Sequence, residues 1–564
     1  NIVVKPHQEV VMGKAKLNKK LTSLILILAL VATIIPTSVY GNLLVSKNTK
    51  TLKNAKAVRM AAVDSAAGGS EAADEAYISK LAIISKNGTV WGEGIETGTP
   101  KFDENDERGN DSSKSNDRVR SYDSITYNVA TEIQSRNNKT FAEGRVGYKV
   151  TVDDDDEIQL GISSMGWVED LETKKENGKK IDTEGELYYR GVKVSDFIKG
   201  HDPKNRFLFE EVCFLILFGY LPNKDELDAF KKELASRYDL PLNYLQARIL
   251  GFPMQNMMNK LQQEVLMLYT YDEKPDDISP EATLNKGLDL IAKIPEIVCY
   301  AYRTKVHYFD SDSLFIHPVN TEYSIAENIL QMLRIDRSFT KIEASVLDMC
   351  LVLHADHGGG NNSTFTNVVM SSTGTDIYSC FAGAIGSLKG PKHGGANLAV
   401  AKQMELVIDK VGLNATDEQL KQVIKDILDK KFNDQSGLIY GIGHAVYTLS
   451  DPRCQILSKQ CKQLAIEKNR LKEYELYHRF EELAVAEIKA RKGINVCANI
   501  DFYSGLVYDM LGLSKDLYTL MFVIGRSVGW VAHNIENKLY SGKIIRPAGK
   551  YVGEKKEYIK MENR

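Results

Sequence analysis

The sequence predicts a mainly helical protein, with its helices in the last two-thirds of the chain. Apolar residues recur at helical spacing in one segment after another beyond Lys180. Alternation with a period of two, which is typical of strands, is concentrated ahead of residue 160 and is sparse after Arg190. We therefore expect an all-α fold, preceded by a hydrophobic segment and by a small region that is β-rich or partly disordered.

The composition argues against several classes of protein. A length of 564 residues suits two to four domains. A net charge of −3 gives no overall field that would favour nucleic acid or an anionic membrane. Most of the seven cysteines lie in apolar runs, as Cys213, Cys299 and Cys350 do, and no CxxC or Cys/His spacing occurs. These features predict buried, reduced thiols, no metal site and no nucleic-acid partner.

Residues 1–41 carry a pattern that is typical of a secretory signal. Basic residues follow Met12, and an apolar core of about fifteen residues leads to a small-residue exit near Gly41. A membrane-spanning helix needs about twenty apolar residues, so a signal-anchor is the competing interpretation. A further alternative is a chimeric or mis-started reading frame, in which this segment does not belong to the natural protein.

The next part of the chain is predicted to contain a linker and a small β-rich region. Residues 42–76 are rich in Lys, Ala, Ser and Gly, which favours a flexible linker. Residues 77–170 form the β-rich or partly disordered region, and the acidic run Asp153–Glu157 lacks the ligand and glycine spacing of a calcium loop. Strand-like alternation occurs at Ile125–Ile133 and Val146–Val152. We place a domain boundary near Lys180.

Beyond this boundary the predicted elements are helices. Asn223 precedes one of them, and Glu226 three residues later completes a capping box. The main helical segments are Arg206–Tyr220, Asn256–Tyr271, Asn285–Ala301, Ile325–Leu333, Ile342–Leu353, Tyr378–Leu388, Asp417–Lys430, Gln455–Leu464 and Glu473–Ala490. Together they predict a large helical domain that extends to the end of the chain.

Two glycine-rich loops between Leu351 and Val400 stand out as candidate functional elements. Three of the ten histidines, His354, His357 and His393, lie in or just before these loops. Glycines remove side chains where a backbone must approach another group closely. The apolar helix between the loops would hold them at its two ends, so the stretch predicts a site for a small anionic ligand.

These motifs resemble the citrate synthase family. The first two are HADHGGGN at 354–361 and GPKHGGAN at 390–397. Three more follow in register: GIGHAVYTLSDPR at 441–453, NIDFYSG at 499–505, and the pair GRSVGW at 525–530 with IIRPAGKYVG at 544–553. The resemblance covers roughly 180–564. It implies a two-domain helical fold in which a smaller domain, placed at about 374–491, closes over the active site.

The chemistry of this family requires a base for a very weakly acidic methyl group and a donor to the enolising oxygen. Asp501 lies in an apolar segment, where partial desolvation would raise its basicity. The alternative is a purely structural role, in which Asp501 caps a helix. The resemblance implies that Asp501 removes the methyl proton of the thioester. It also implies that His393 bonds the thioester oxygen and that His444 donates to the ketone of the keto acid.

A keto acid with two carboxylates is best bound by guanidinium groups, whose planar fork matches a carboxylate. The resemblance implies that Arg453, Arg526 and Arg546 are these groups. Arg546 would reach the active site of a neighbouring subunit, which implies a homodimer. The other substrate-binding positions implied by the resemblance are His357, Asn361 and Ser363, with His354 as a supporting group. Gly358 stands where other members have a glutamate, which weakens any role for a carboxylate there but leaves His357 in place.

The glycine loops do not match a nucleotide-binding motif, because neither GxGxxG after a strand nor GxxxxGK[ST] occurs. By resemblance, coenzyme A would contact the backbone at Lys392–Gly395 and Gly441–Gly443. Acetyl-CoA is then a co-substrate, and no permanently bound cofactor is expected.

The resemblance implies an acyltransferase of the tricarboxylic acid cycle that condenses acetyl-CoA with oxaloacetate and water to give citrate and CoA. The alternative within this class is 2-methylcitrate synthase, since propionyl-CoA differs by one methylene. An alternative of another class is a secreted or surface β protein fused to an inactive helical passenger. The need for CoA and the reduced thiols predict a cytoplasmic enzyme, whereas the signal-like segment 1–41 predicts export.

Overall fold

The computed structural model describes residues 182, 184–200, 207–444, 446–540, 544–546 and 556–564, together with seven strand segments between 83 and 181. Nearly all of these residues belong to one compact unit, 70–83 with 90–564. Of the second unit, 1–69 with 84–89, only Ile84 is described. The predicted signal-like segment, the linker and the alternating segment at Ile125–Ile133 lie outside the described residues.

Short strands precede the helices. They are β1 (Ile83–Ile84), β2 (Val90–Trp91), β3 (Gly147–Asp153), β4 (Asp156–Ile162), β5 (Gly166–Glu169), β6 (Lys174–Glu176), β7 (Lys179–Ile181), β8 (Glu186–Tyr189) and β9 (Val192–Lys193). The antiparallel pairs β3–β4 and β6–β7 form two-stranded sheets, and β8 lies between β5 and β9 in a three-stranded sheet. Strand β3 lies where the alternation at Val146–Val152 predicted a strand.

Helices make up most of the described chain, which confirms the predicted all-α class. They are α1 (Val194–Lys199), α2 (Phe209–Phe218), α3 (Lys224–Ala235), α4 (Met257–Leu268), α5 (Pro280–Asp310), α6 (Ile325–Leu333), α7 (Lys341–His354), α8 (Asn362–Ser371), α9 (Ile377–Leu388), α10 (Ala396–Val411), α11 (Asp417–Leu428), α12 (Pro452–Glu467), α13 (Leu471–Lys492), α14 (Asp501–Met510) and α15 (Tyr518–Tyr540). None of the described helices combines the length and apolar character needed to span a membrane.

Local sequence signals set the helix ends. The predicted capping box at α3 is present, because Asn223 accepts from the Glu226 backbone while the Glu226 side chain accepts from Asn223. Helix α5 begins five residues earlier than predicted, because Ser279 caps it and Pro280 occupies its first position, where a missing N–H costs nothing. Asp451 and Pro452 begin α12 in the same way.

The core forms where α5 and α15 pack against each other and against α4, α7 and α8. Between 518 and 535 almost every residue of α15 is buried, as expected of a helix that is apolar on all sides. Gly287 permits the close approach of α5, since a Cβ there would lie 2.3 Å from a methyl group of Val531. Helix α15 thus crosses the centre of the helical body.

Two glycines of α15 place the first histidine motif against it. A Cβ at Gly525 would lie 2.8 Å from the carbonyl oxygen of Leu351, and one at Gly529 would lie 2.5 Å from that of Ala355. Contacts this short require glycine. The end of α7 and the loop after it are therefore seated directly on α15, next to Arg526.

Candidate active site

The loop before His444 is paired with the segment that leads into Asp501. The Gly443 N–H donates to the Cys497 carbonyl at 2.7 Å, and the Asn499 N–H donates to the Gly441 carbonyl at 2.9 Å. An antiparallel bridge joins Ile442 to Ala498 between these two bonds. The segments that lead to His444 and to Asp501, which are distant in sequence, are thereby held side by side.

Asp501 is the first residue of α14, and its carboxyl group is poorly solvated. Its Oδ1 atom is buried and has no hydrogen-bond partner among the described residues. Burial raises the pKa of Asp501 to about 7, although the positive charges of Arg453 and Arg526 act in the opposite direction. A carboxylate with this pKa can take up a proton near neutral pH, as a general base must.

The hydrogen bonds of His444 fix which of its nitrogens carries the proton. Its Nδ1 atom accepts from the backbone N–H groups of Val446 and Tyr447, both at 3.0 Å. Burial, followed by the charge of Arg453, lowers the pKa of His444 to about 4, so the ring is neutral at pH 7. A neutral ring that accepts at Nδ1 must carry its hydrogen at Nε2, which makes Nε2 a donor.

Arg453 is held by the carboxylate of Asp451, which caps the same helix. Asp451 accepts from Nε of Arg453 at 3.0 Å and from Nη2 at 2.7 Å. It also caps α12 by accepting from the Arg453 backbone, and it accepts from the Ile500 backbone at 3.2 Å. Asp451 therefore fixes the guanidinium next to the loop of Asp501.

Arg526 has two donor groups that are available to a ligand. The residue is fully buried, and its Nε atom donates to the His354 carbonyl at 2.7 Å. Within the described part of the chain, Nη1 and Nη2 have no hydrogen-bond partner. Burial lowers the pKa of Arg526 to about 10, so the group stays charged at pH 7. The unpartnered Nη1 and Nη2 groups of this buried cation can each donate to one of the two oxygens of a carboxylate.

The histidines of the first loop take different positions. His357 is buried, its Nε2 atom has no partner among the residues described, and its ring lies 5.3 Å from that of His444. Burial lowers its pKa well below the usual range. His354 packs 4.2 Å from the Phe522 ring, and its Nε2 lies 3.2 Å from the Tyr508 hydroxyl. These contacts suit His357 to binding a ligand and His354 to supporting Arg526.

His393 is connected to the start of α8. Its Nε2 atom lies 3.2 Å from Oγ of Ser363, whose hydroxyl also lies 2.9 Å from Oδ1 of Asn361. Burial lowers the pKa of His393 to about 4, so this ring is neutral at pH 7 as well. The turn requires Gly394, because a Cβ there would lie 2.4 Å from the carbonyl oxygen of Leu388.

The two arginines link these groups electrostatically. The charge of Arg526 acts on Asp501, His357 and His393. The charge of Arg453 acts on Asp501, His357 and His444. The predicted base and the predicted donors therefore surround one pair of cations. The described residues contain no group of three or more His, Cys, Asp or Glu side chains that could hold a metal.

Arg546 is the one predicted site residue that this chain does not bring into the cluster. It is exposed, and its neighbour Ile545 donates from the backbone to the Ser372 hydroxyl at 3.0 Å. Its action across a dimer interface remains a prediction, as do the coenzyme A contacts at Lys392–Gly395 and Gly441–Gly443.

Gly358, in the first histidine loop, adopts a left-handed backbone conformation with a φ of +74°.

Sequence reasoning missed several groups that shape the site. Besides Asp451, they include Asn499, which donates to the Gly443 carbonyl at 2.8 Å, and Tyr447, whose ring lies 4.7 Å from that of His444. Phe522, with Arg526 4.7 Å above its ring, is another. Asp451 could have been found from its position ahead of a proline at a helix start, whereas the others carry no local signal.

Comparison with known proteins identifies relatives of this chain. Residues 168–548 match the model of the citrate synthase C-terminal domain, and residues 70–201 match the N-terminal domain of the uncharacterised plasmid protein pXO2-29. The citrate synthase of Haloferax volcanii is 36% identical over 66% of this chain and 90% of its own length. Citrate synthase 2 of Bacillus subtilis is 34% identical over 67% of this chain and 93% of its own.

Solved structures show the same relationship. Citrate synthase from Pyrobaculum aerophilum superimposes with a TM-score of 0.60 at 26% identity, over 74% of this chain and 98% of that protein. A Thermoplasma acidophilum citrate synthase, solved as a ternary complex with carboxymethyl coenzyme A and oxaloacetate, has a TM-score of 0.59 at 26% identity, over 72% of this chain and 97% of its own. On the evidence of its motifs, its fold and these relatives, the chain belongs to the citrate synthase family.

Proposed function

We propose that the protein condenses acetyl-CoA with oxaloacetate and water to give citrate and CoA, at the site around Asp501, His393 and His444. The observation that carries this proposal is the pair of unpartnered N–H groups on the buried Arg526. They make a receptor for a carboxylate beside a base of raised pKa. A dicarboxylic keto acid supplies such a carboxylate and also the ketone that the reaction requires.

In the first step Asp501 takes a proton from the methyl group of acetyl-CoA, while His393 donates a hydrogen bond to the thioester oxygen. The Ser363 hydroxyl contacts both Asn361 and His393. In the structure the Ser363 hydroxyl donates its hydrogen to Oδ1 of Asn361, so its oxygen accepts from Nε2 of His393. For the ring proton to be at Nδ1 and face the thioester, the Ser363 hydrogen has to turn to Nε2 when the substrate binds. Because the ring is neutral, it stabilises the enol without placing a full positive charge beside Arg526.

In the second step the enol carbon forms a bond to the ketone carbon of oxaloacetate. The ketone oxygen takes up negative charge, accepts a hydrogen bond from Nε2 of His444 and then takes that proton. The ring regains a proton from solvent while Asp501 releases the methyl proton to solvent, so both groups return to their starting states. The product at this stage is citryl-CoA. Attack of water on its thioester carbonyl breaks the C–S bond and releases citrate and CoA.

Oxaloacetate would be held by Arg526 and Arg453, with His357, Asn361 and Ser363 as further contacts. We also propose that the protein is a homodimer in which Arg546 of one protomer completes the site of the other. The exposure of Arg546 in the single chain leaves it free for this role. The smaller domain at about 374–491 would close over the bound substrates and exclude water.

The alternative within this class is 2-methylcitrate synthase. The 2-methylcitrate synthase of Shewanella oneidensis is 32% identical over 67% of this chain and 92% of its own length. One additional methylene shifts specificity by only about 1–3 kcal/mol, so both acyl groups are candidates.

Thiol release from acetyl-CoA, measured with and without oxaloacetate and repeated with propionyl-CoA, tests the proposal. We expect oxaloacetate-dependent CoA release that is faster with acetyl-CoA. Faster release with propionyl-CoA would favour the 2-methylcitrate activity. Absence of release with both would overturn the proposal and favour the surface protein with an inactive passenger.

We further propose that the enzyme acts in the cytoplasm, against the signal-like segment 1–41. All seven cysteines are buried and none is in a disulfide in the described part of the chain, as suits a reducing compartment. Fractionation of the source cells with an antibody against the helical region would test this location, and recovery outside the cell would overturn it.

A further inference from the structure

A buried carboxylate next to His357 has no part in the chemistry described above. Asp356 is completely buried. Its Oδ2 atom accepts from the Gly358 N–H at 3.1 Å, and its Oδ1 atom lies 3.1 Å from Nε2 of His533. The bond to Gly358 spans His357, so it fixes the backbone on both sides of that histidine.

His533 is equally buried and belongs to α15. Its Nδ1 atom lies 3.8 Å from Oε2 of Glu536, which is also buried, one turn further along the same helix. A buried hydrogen bond to a carboxylate is strong only when the geometry of both groups is fixed. The contact with Asp356 therefore joins the glycine loop to α15, which crosses the centre of the helical body.

The spacing along α15 makes this contact specific. Arg526, Gly529 and His533 follow one another at intervals of three and four residues, so they lie on one face of the helix. A Cβ at Gly529 would lie 2.8 Å from Oδ1 of Asp356, so a larger residue there would collide with the carboxylate. This face of α15 thus places Arg526, which can bind a carboxylate, and His533, which contacts Asp356, next to the loop.

The charge of Asp356 matches this arrangement. Burial acts to raise its pKa, but the attraction of His533 and of Arg526 outweighs burial and holds the pKa below its usual value. The carboxylate is therefore ionised, and it balances part of the buried charge of Arg526 while no keto acid is bound.

We propose that Asp356 and His533 form a positioning pair for oxaloacetate. The pair sets the backbone around His357, so that this histidine and Arg526 engage the same substrate molecule. Asp356 touches neither reactant and acts through His357 and Gly358. This inference rests on the proposed function, because it assigns the pair to the binding of one of the two substrates.

The test compares steady-state kinetics of the full-length enzyme and of two variants, Asp356→Ala and His533→Ala. We expect the KM for oxaloacetate to rise about tenfold or more, as is usual when a group that orients a binding residue is lost. The KM for acetyl-CoA and kcat at saturating substrate should each change less than about threefold. His533→Gln keeps a side-chain N–H for Asp356 and should restore most of the affinity for oxaloacetate.

Glu233→Ala in α3 is a matched control, because it breaks a buried ion pair with Arg237, N–O distance 2.6 Å, that contacts no proposed site residue. It should lower the melting temperature and leave the KM for oxaloacetate unchanged. An oxaloacetate KM that changes equally in this control would assign the effect to general destabilisation and overturn the inference.

Where the alanine variants fail to fold, Asp356→Asn provides the test, because it keeps the shape and removes the charge. Isothermal titration with oxaloacetate alone gives its Kd without relying on turnover. Weaker binding by Asp356→Asn supports the positioning pair, and an unchanged Kd overturns it. A wild-type enzyme that binds oxaloacetate but releases no CoA would instead count against the proposed function.

Discussion

Nε2 of His444 lies 3.1 Å from Nη2 of Arg453, and both atoms carry hydrogen. The first is a donor because Nδ1 of the ring already accepts two backbone N–H groups, and the second is always a donor. Two donors that face each other are satisfied only when an acceptor lies between them. The ketone and carboxylate oxygens of oxaloacetate are such acceptors, so substrate binding would remove an unfavourable contact.

Replacing Arg453 with lysine should weaken oxaloacetate binding. A lysine keeps the charge but loses the planar fork that Asp451 orients, and a hydrogen bond to a charged group contributes about 1.5–3 kcal/mol. We expect the KM for oxaloacetate to rise between about tenfold and a hundredfold, since about 1.4 kcal/mol corresponds to a factor of ten. Steady-state kinetics with varied oxaloacetate measures this change.

The control for Arg453→Lys is Arg479→Lys, since Arg479 makes a partly exposed ion pair with Asp417. Exposed ion pairs contribute little, so this variant should keep the wild-type KM. An unchanged KM in Arg453→Lys would show that the fork does not bind the substrate.

The substitution Asp501→Asn should remove nearly all turnover and preserve the fold. An amide cannot accept the methyl proton, while its size matches that of the carboxyl group. The folded-state pKa of Asp501 is raised from 3.8 to about 7, so its ionisation disfavours folding as the pH rises through that window. At pH 8 the variant should therefore be at least as stable as the wild type.

Thiol release and thermal unfolding measure these two effects. Asp509→Asn, on the same helix but more than half exposed, is the control and should keep full activity. Near-normal turnover in Asp501→Asn would contradict its assignment as the base.

The pH profile should show one acid limb near neutrality. Rates measured with both substrates well below saturation report groups of the free enzyme. Asp501 loses its basic form below a pKa of about 7, whereas His393 and His444, with pKa values of about 4, remain neutral over this range. A rate that stays constant between pH 5 and pH 8 would exclude Asp501 as the titrating group.

Stability at acid pH should depend on the buried histidines. The pKa of His444 falls from 6.5 to about 4 on folding, so its contribution to stability is present above pH 6.5 and is lost as the pH falls towards 4. The loss for this one group reaches about 2 kcal/mol at pH 5. Urea unfolding of the wild type and of His444→Asn at pH 7 and pH 5 measures it. The wild type should lose more stability than the variant, and equal losses would contradict the lowered pKa.

Sequence motifs singled out candidate site residues where a local pattern accompanies the chemistry. His393 and Asp501 lie in short segments whose glycines or apolar neighbours already set them apart. The structure brings both within the electrostatic influence of Arg526. Helix ends were predicted closely where the capping residue was recognised, as at Asn223, and less well at α5, where the cap Ser279 and the following Pro280 were not used.

Contacts between distant segments could not be predicted in this way. The contact of Asp356 with His533 joins residues that are far apart in sequence, and neither residue belongs to a pattern that indicates the other. The hydrogen at Nε2 of His444 depends on the backbone conformation of the turn after it. For Arg546 the sequence motif goes further than the single chain, because the proposed role of this residue depends on a second protomer.

The backbone bridge at Ile442 and Ala498 has a consequence for engineering the enzyme. Because it ties the segment of His444, the proposed donor to the ketone, to the segment of Asp501, the proposed base, neither side chain can be reoriented on its own. An insertion in either segment would shift both groups together. Attempts to change the acyl specificity should therefore leave this bridge intact.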